Sequence, residues 1–180
     1  MITVVDYDPA WPQLFEQLRR NLLPLVGDIA VTVEHVGSTA VPGLAAKPVI
    51  DIDVVVASAA ELAVLVDRLA GSGHVHQGDL GIEGREAFEH RGGPIAHHLY
   101  GCLRDSIALE NHLAVREYLR THVAAALEYG ALKKRLAQEF PRDTVAYVGG
   151  KTSFILEILR GANFPESRLR TLARANRRTL

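Results

Sequence analysis

Two aspartates separated by one isoleucine, Asp51 and Asp53, interrupt the apolar run PVIDIDVVV, and a Gly37-Ser38-Thr39 turn precedes them. The run is rich in β-branched residues and reads as a strand, so alternate side chains project to opposite faces: Asp51 and Asp53 share one, Ile50, Ile52 and Val54 the other. Two carboxylates that close repel each other, and burying either without a partner is costly. A divalent cation is an economical partner. Mg²⁺ commonly takes one or two carboxylates together with phosphate oxygens, and such an ion neutralises charge developing on phosphorus. The Gly37-Ser38-Thr39 turn supplies the complement, backbone N–H groups and hydroxyls that can face a phosphate. Neither Asp-x-Asp nor Gly-Ser-Thr is specific alone. Their order, a strand, a Gly-Ser turn, a short connection and a strand bearing Asp-x-Asp, points to a nucleoside triphosphate held with Mg²⁺. Lys47, just before the second strand, is a further phosphate candidate, although a lysine there is as readily solvated. Arg85 and Arg91, in the glycine-rich middle of the chain, could clamp a substrate anion or be ordinary strand-end charges.

The elements that must position these residues follow from periodicity. Trp11, Leu14, Phe15, Leu18, Leu22 and Leu25 recur at helical spacing up to Gly27, with Asp8 as a candidate cap. IAVTVEHVG alternates as a strand entering the turn, and PVIDIDVVV is the second strand. Ser58 caps a helix over AAELAVLVDRLAG. Short strands are expected around Val75, from Ala87 to His90 and from Ile95 to Leu103. From Ser106 the pattern is helical, broken at Pro141. The stretch from Glu166 carries five arginines against one glutamate and reads as a basic tail, a short helix or a loose arm, dispensable for the fold. Strands with two helices, followed by a run of helices, imply an α/β (α+β) domain over residues 1–165: a mixed sheet to about residue 104 and a helical half beyond it.

The chain has 180 residues, enough for one domain with a real core, and its formal net charge of -1 argues against a whole-molecule field for nucleic acid or an anionic membrane. Any anion site must be local. One cysteine, Cys102, precludes an internal disulfide, and no apolar run approaches the roughly 20 residues that span a bilayer. The expectation is a cytoplasmic protein without a membrane partner. The eight histidines, His74-x-His76 and His97-His98 among them, lack a closed zinc-ligand spacing.

HVGSTAVPGLAAKPVIDIDVVV resembles the signature of the GrpB-like family, and the similarity continues through HHLYGCL, VREYLRTH, EYGALKKRLA and YVGGKTSFI, from about Val5 to Leu159. That family is assigned to the nucleotidyltransferase superfamily, and members also occur fused to some dephospho-CoA kinases. The resemblance implies a nucleotidyltransferase-like fold and transfer of a nucleoside monophosphate from a Mg-bound triphosphate to a small-molecule acceptor. It places Gly37, Ser38, Asp51, Asp53, His98, Arg116, Lys133, Tyr147 and Lys151 on recurring family positions. The roles expected of them are our own reading: the aspartates as metal ligands, the turn, Arg116, Tyr147 and the lysines at the nucleotide. This chain departs from the family pattern at His98-Leu99-Tyr100, where His-x-His is frequent, and at Val115 and Glu117. Nucleotidyltransferases generally use a third carboxylate on a neighbouring strand, and IAHHLYGCL has none. His98 as base, or Glu86 or Glu89 reaching the metal, would fill that role; without them the alternative is a catalytically silent nucleotide- or ligand-binding module.

Overall fold

The computed structural model describes residues 1–90 and 92–178. Arg91 lies outside them. Helix α1 (Trp11–Val26) leads into β1 (Ala30–Val36), a single 3-10 turn (Ser38–Ala40) and β2 (Ile50–Val56). Then come α2 (Ala59–Ala70), β3 (His74–Gly78), β4 (Arg85–His90), β5 (His97–Leu103) and four helices: α3 (Ile107–Thr121), α4 (Val123–Glu139), α5 (Thr144–Gly161) and α6 (Glu166–Arg178). The strands form one sheet in the order β1-β2-β5-β4-β3. β2 and β5 run parallel while the other neighbours are antiparallel, so the sheet is mixed, as the alternation of strands with a single crossover helix implies.

Strand alternation divides β2 between two cores. Ile50, Ile52, Val54 and Val56 bury against Trp11, Phe15, Leu18 and Leu22 of α1 and Leu62, Leu65 and Leu69 of α2. The opposite face carries Asp51, Asp53 and Val55, and Val55 joins Cys102, Ala108, Leu109 and Leu159 in a second core under the C-terminal helices. One face of β2 therefore holds α1 and α2 by hydrophobic burial. The other presents two carboxylates to a helical roof.

Ser58 caps α2 reciprocally with Glu61, each side chain taking the other's backbone N–H. Asp8 does not cap α1: its carboxylate accepts the N–H of Ala10, one residue before the helix begins at Trp11. The basic terminal stretch takes the helical one of its two expected forms. It forms α6, whose Leu169, Leu172 and Ala175 are buried in the second core, and Arg168 pairs with Glu110 of α3. No helix among the described residues is long and apolar enough to cross a membrane.

Candidate active site

β1 is antiparallel to β2 with Val36 opposite Asp51 and Glu34 opposite Asp53, so the chain leaving β1 turns directly over Asp51. Gly37 makes that turn at φ 70°, and a Cβ built on it would sit 2.1 Å from Asp51 Oδ2. Only glycine fits here, both because φ is positive and because the carboxylate occupies the space a side chain needs. Ser38 follows, facing the cavity. Thr39, expected to offer its hydroxyl to phosphate, is buried; that hydroxyl donates to the Val49 carbonyl at 3.4 Å and meets His35 Nε2 at 3.0 Å. It secures the turn.

Each aspartate has a histidine. His98 Nδ1 lies 2.8 Å from Asp51 Oδ1, and His112 Nδ1 lies 2.8 Å from Asp53 Oδ2. Burial works against the charged form of Asp51, but the His98 hydrogen bond and the charges of His98, His112 and Lys151 outweigh it and hold the carboxyl below its usual range. Burial pushes His112 down, yet the Asp53 charge and hydrogen bond leave it raised. Asp53 is completely buried, and its Oδ1 has no partner among the described residues.

Lys133 of α4 donates to Ser38 Oγ at 2.8 Å. Burial, followed by the charge of Lys151, brings Lys133 down to about 7; burial, then Lys47, brings Lys151 down to about 8. Aromatic faces hold these ammonium groups: Lys133 lies 4.6 Å from the Tyr129 ring centroid, and Lys151 and Lys47 lie 4.7 and 5.7 Å from that of Tyr147. Tyr147 itself is buried, and burial pushes its hydroxyl up to about 12. Three cations so close repel one another unless an anion joins them.

Arg116, expected at the nucleotide, has its bonds directed elsewhere. Its Nη1 donates to Glu34 and to the His35 carbonyl, and its Nε to Glu117. Arg120, one turn on, donates twice to the Ala40 carbonyl. Together they brace both ends of the turn. Arg85 stands apart, with Nη2 on the Asp79 carbonyl at 3.1 Å and its guanidinium 5.3 Å from the Tyr100 ring centroid.

These side chains surround one cavity of about 470 Å³, within the range of roughly 300 to 1,000 Å³ usual for small-molecule sites. Gly37, Ser38, Thr39, Lys47, Asp51 and Arg85 line it from the sheet side together with His98, and Arg116, Lys133, Tyr147 and Lys151 line it from the helices. Asp53 lies behind His112. Sequence reasoning missed His112, Asn111 and Tyr129, which also line the cavity. His112 stands four residues before Arg116, on the same stripe of α3, and that spacing was the available signal.

Among the described residues no three His, Cys, Asp or Glu side chains are grouped to hold a metal by themselves. A Mg²⁺ site of two carboxylates completed by phosphate oxygens and water needs no such group. The unpartnered, fully buried Asp53 Oδ1 and the approach of Asp51 Oδ2 to Gly37 are compatible with one. Glu86 is unsuited to join it: it pairs with Gly101, whose α-carbon faces Leu62 and Leu65 of α2, and it binds His76 at 2.6 Å on that opposite face. Glu89 lies two strands from Asp51, exposed and opposite Val75. Tyr100 occupies the position beside Asp53 on β5.

The family profile described as GrpB protein matches residues 1–161. The chain belongs to the GrpB family. It is 35% identical to the crystal structure of conserved protein GrpB from Enterococcus faecalis, with a TM-score of 0.78 over 94% of this chain and 99% of that one. UPF0157 protein YqkA of Bacillus subtilis is 32% identical over 154 residues, 86% of this chain, and this GrpB chain spans only 45% of YqkA. The Cid1 poly(U) polymerase bound to MgGTP superposes with a TM-score of 0.52 at 15% identity, over 85% of this chain and 50% of that one. That likeness identifies the fold as nucleotidyltransferase-like.

Proposed function

We propose that this GrpB protein is a nucleotidyltransferase that moves a nucleoside monophosphate from a Mg-bound triphosphate to a small-molecule alcohol. The observation that carries the reading is the convergence of Ser38 and three lysines on one side of two strand carboxylates, one of which keeps a buried oxygen with no partner among the described residues. Asp51 and Asp53 would hold Mg²⁺, which when bound neutralises the phosphates and the attacking oxygen. Ser38, Lys133, Lys151 and Lys47 hold the β- and γ-phosphates and take up the charge of departing pyrophosphate. Tyr129 and Tyr147 fix the lysines.

Asp51 accepts from His98 Nδ1–H, which leaves the lone pair on Nε2 in the neutral ring. As the acceptor oxygen forms its bond to the α-phosphorus and the bond to pyrophosphate breaks, the hydroxyl proton passes to Nε2 of His98. The second reading, a nucleotide- or ligand-binding module without transfer, is favoured by Tyr100, which stands on β5 beside Asp53 where a third carboxylate would otherwise serve. Incubation with each of the four triphosphates, Mg²⁺ and fractionated metabolite pools separates them. Metal-dependent pyrophosphate release that vanishes in Asp51→Asn supports transfer. Tight, Mg²⁺-dependent triphosphate binding with no pyrophosphate released from any pool supports the module.

A further inference from the structure

Four buried side-chain polar atoms lack a partner among the described residues: Asp53 Oδ1, Arg85 Nε, Asn111 Oδ1 and His90 Nδ1. Arg85 and Asn111 line the cavity, and Asp53 is hydrogen-bonded to His112, which also lines it, so three of the four lie in or directly behind one site. Such atoms are rare because each costs the desolvation of a polar group. Arg85 is the most demanding, a guanidinium 7% exposed with no carboxylate paired to it among the described residues. A buried cation of that kind calls for an anion supplied from outside.

We propose that Arg85 anchors a carboxylate or phosphate group on the acceptor alcohol, in a subsite separate from the lysines. Strand register separates the two. β2 runs from Asp51, under the Ser38 turn, through Asp53 to Val55; Val55 pairs with Cys102, and Cys102 with Arg85. The lysine that grips Ser38 and the arginine therefore lie toward opposite ends of the carboxylate pair. In an in-line displacement at phosphorus the attacking and leaving oxygens lie on opposite sides of the reacting atom. The helical lysines suit pyrophosphate, His98 on the sheet receives the acceptor hydroxyl, and Arg85, beyond Asp53, is placed for the acceptor's far end. Its guanidinium is already oriented by the Asp79 carbonyl and the Tyr100 ring, so little ordering remains to be done on binding. Asn111 Oδ1 offers an acceptor for a neighbouring hydroxyl. The substrate class is an anionic alcohol, a hydroxy acid or a polyol phosphate.

The assignment of ends rests on the nucleotidyltransferase reading, whereas the anion subsite does not, and calorimetry distinguishes them. Glycolate, glycerol 3-phosphate and neutral glycerol are titrated into wild type and Arg85→Met, with and without Mg²⁺ and α,β-methylene ATP. At least one charged alcohol is expected to bind wild type ten times more tightly than glycerol, glycolate marking a carboxylate site and glycerol 3-phosphate a phosphate site. Arg85→Met should lose that tenfold preference, keep its triphosphate affinity within twofold and melt no lower than wild type. If Arg85→Met does not fold, Arg85→Lys, which lacks the Nε donor, is expected to show the same loss. Charged alcohols that bind no better than glycerol, or bind the folded variant as they bind wild type, overturn the proposal. So does a variant that loses triphosphate and keeps the alcohols. If α,β-methylene ATP fails to bind while charged alcohols still bind through Arg85, the nucleotide reading falls and the subsite stands.

Discussion

Lys133 is the buried ammonium that links the phosphate turn to the helical roof. It is 2% exposed, hydrogen-bonded to Ser38 and repelled by Lys151 and Lys47, and its proton is held only to about pH 7. The unfolded chain keeps such a proton to about pH 10.4. Between those values the unfolded state binds more protons, so this group makes the empty protein more stable as pH rises from about 7 toward 10. A triphosphate has the opposite demand. Its charge restores the proton to Lys133, and to Lys151 from about 8, so binding takes up protons and weakens as pH rises. Calorimetry at pH 8 in two buffers of different ionisation enthalpy should register proton uptake on binding of α,β-methylene ATP, and affinity should fall from pH 7 to pH 9. In Lys133→Gln the uptake should shrink. Proton release, or affinity independent of pH, would contradict this account of the lysines.

Among the elements, the β1-to-β2 connection matters most because it joins the phosphate turn to the carboxylates. Gly37→Ala would place a methyl on the Asp51 carboxylate at a positive φ, and backbone strain of this kind costs on the order of 1 to 3 kcal/mol. The expected outcome is a folded protein of lower melting temperature with triphosphate binding reduced at least tenfold; wild-type affinity would show that the turn does not serve the site. This element was legible in the sequence because strand alternation and a turn glycine are local facts. The roof was less so. The pairing of His112 with Asp53 depends on how α3 docks on the sheet, and Arg116 and Arg120 look like free cations until that docking turns them onto Glu34, the His35 carbonyl and the Ala40 carbonyl. The break between α3 and α4 at His122 has no glycine or proline to announce it. There the backbone leaves helical geometry while His122 stacks on Tyr118 and donates to its carbonyl.

At the scale of the whole molecule, α6 closes the second core. Its apolar stripe, Leu169, Leu172 and Ala175, was present in the sequence but set among five arginines, of which Arg168, Arg170 and Arg174 are exposed. Burying a leucine is worth about 1.5 to 3 kcal/mol, so ending the chain at Pro165 should cost roughly 3 kcal/mol or more of unfolding free energy. Urea unfolding of the shortened protein should show a clearly lower midpoint. An unchanged midpoint would mean that α6 contributes nothing to a core that also contains Val55 of the site strand.

Asp53 tests the central claim most directly. It is tied to His112 through Oδ2, and its Oδ1 has no partner among the described residues, so Asp53→Asn can retain one hydrogen bond while losing the charge a cation requires. Exchange of that charge-assisted bond for a neutral one should cost the empty protein about 1 kcal/mol, a small shift that leaves it folded. The decisive measurement is the calorimetric affinity of α,β-methylene ATP for wild type and Asp53→Asn, each in EDTA and in Mg²⁺. The account predicts that Mg²⁺ tightens binding to wild type at least tenfold and leaves Asp53→Asn unchanged; a wild type that binds no triphosphate, or binds it equally with and without Mg²⁺, would contradict it.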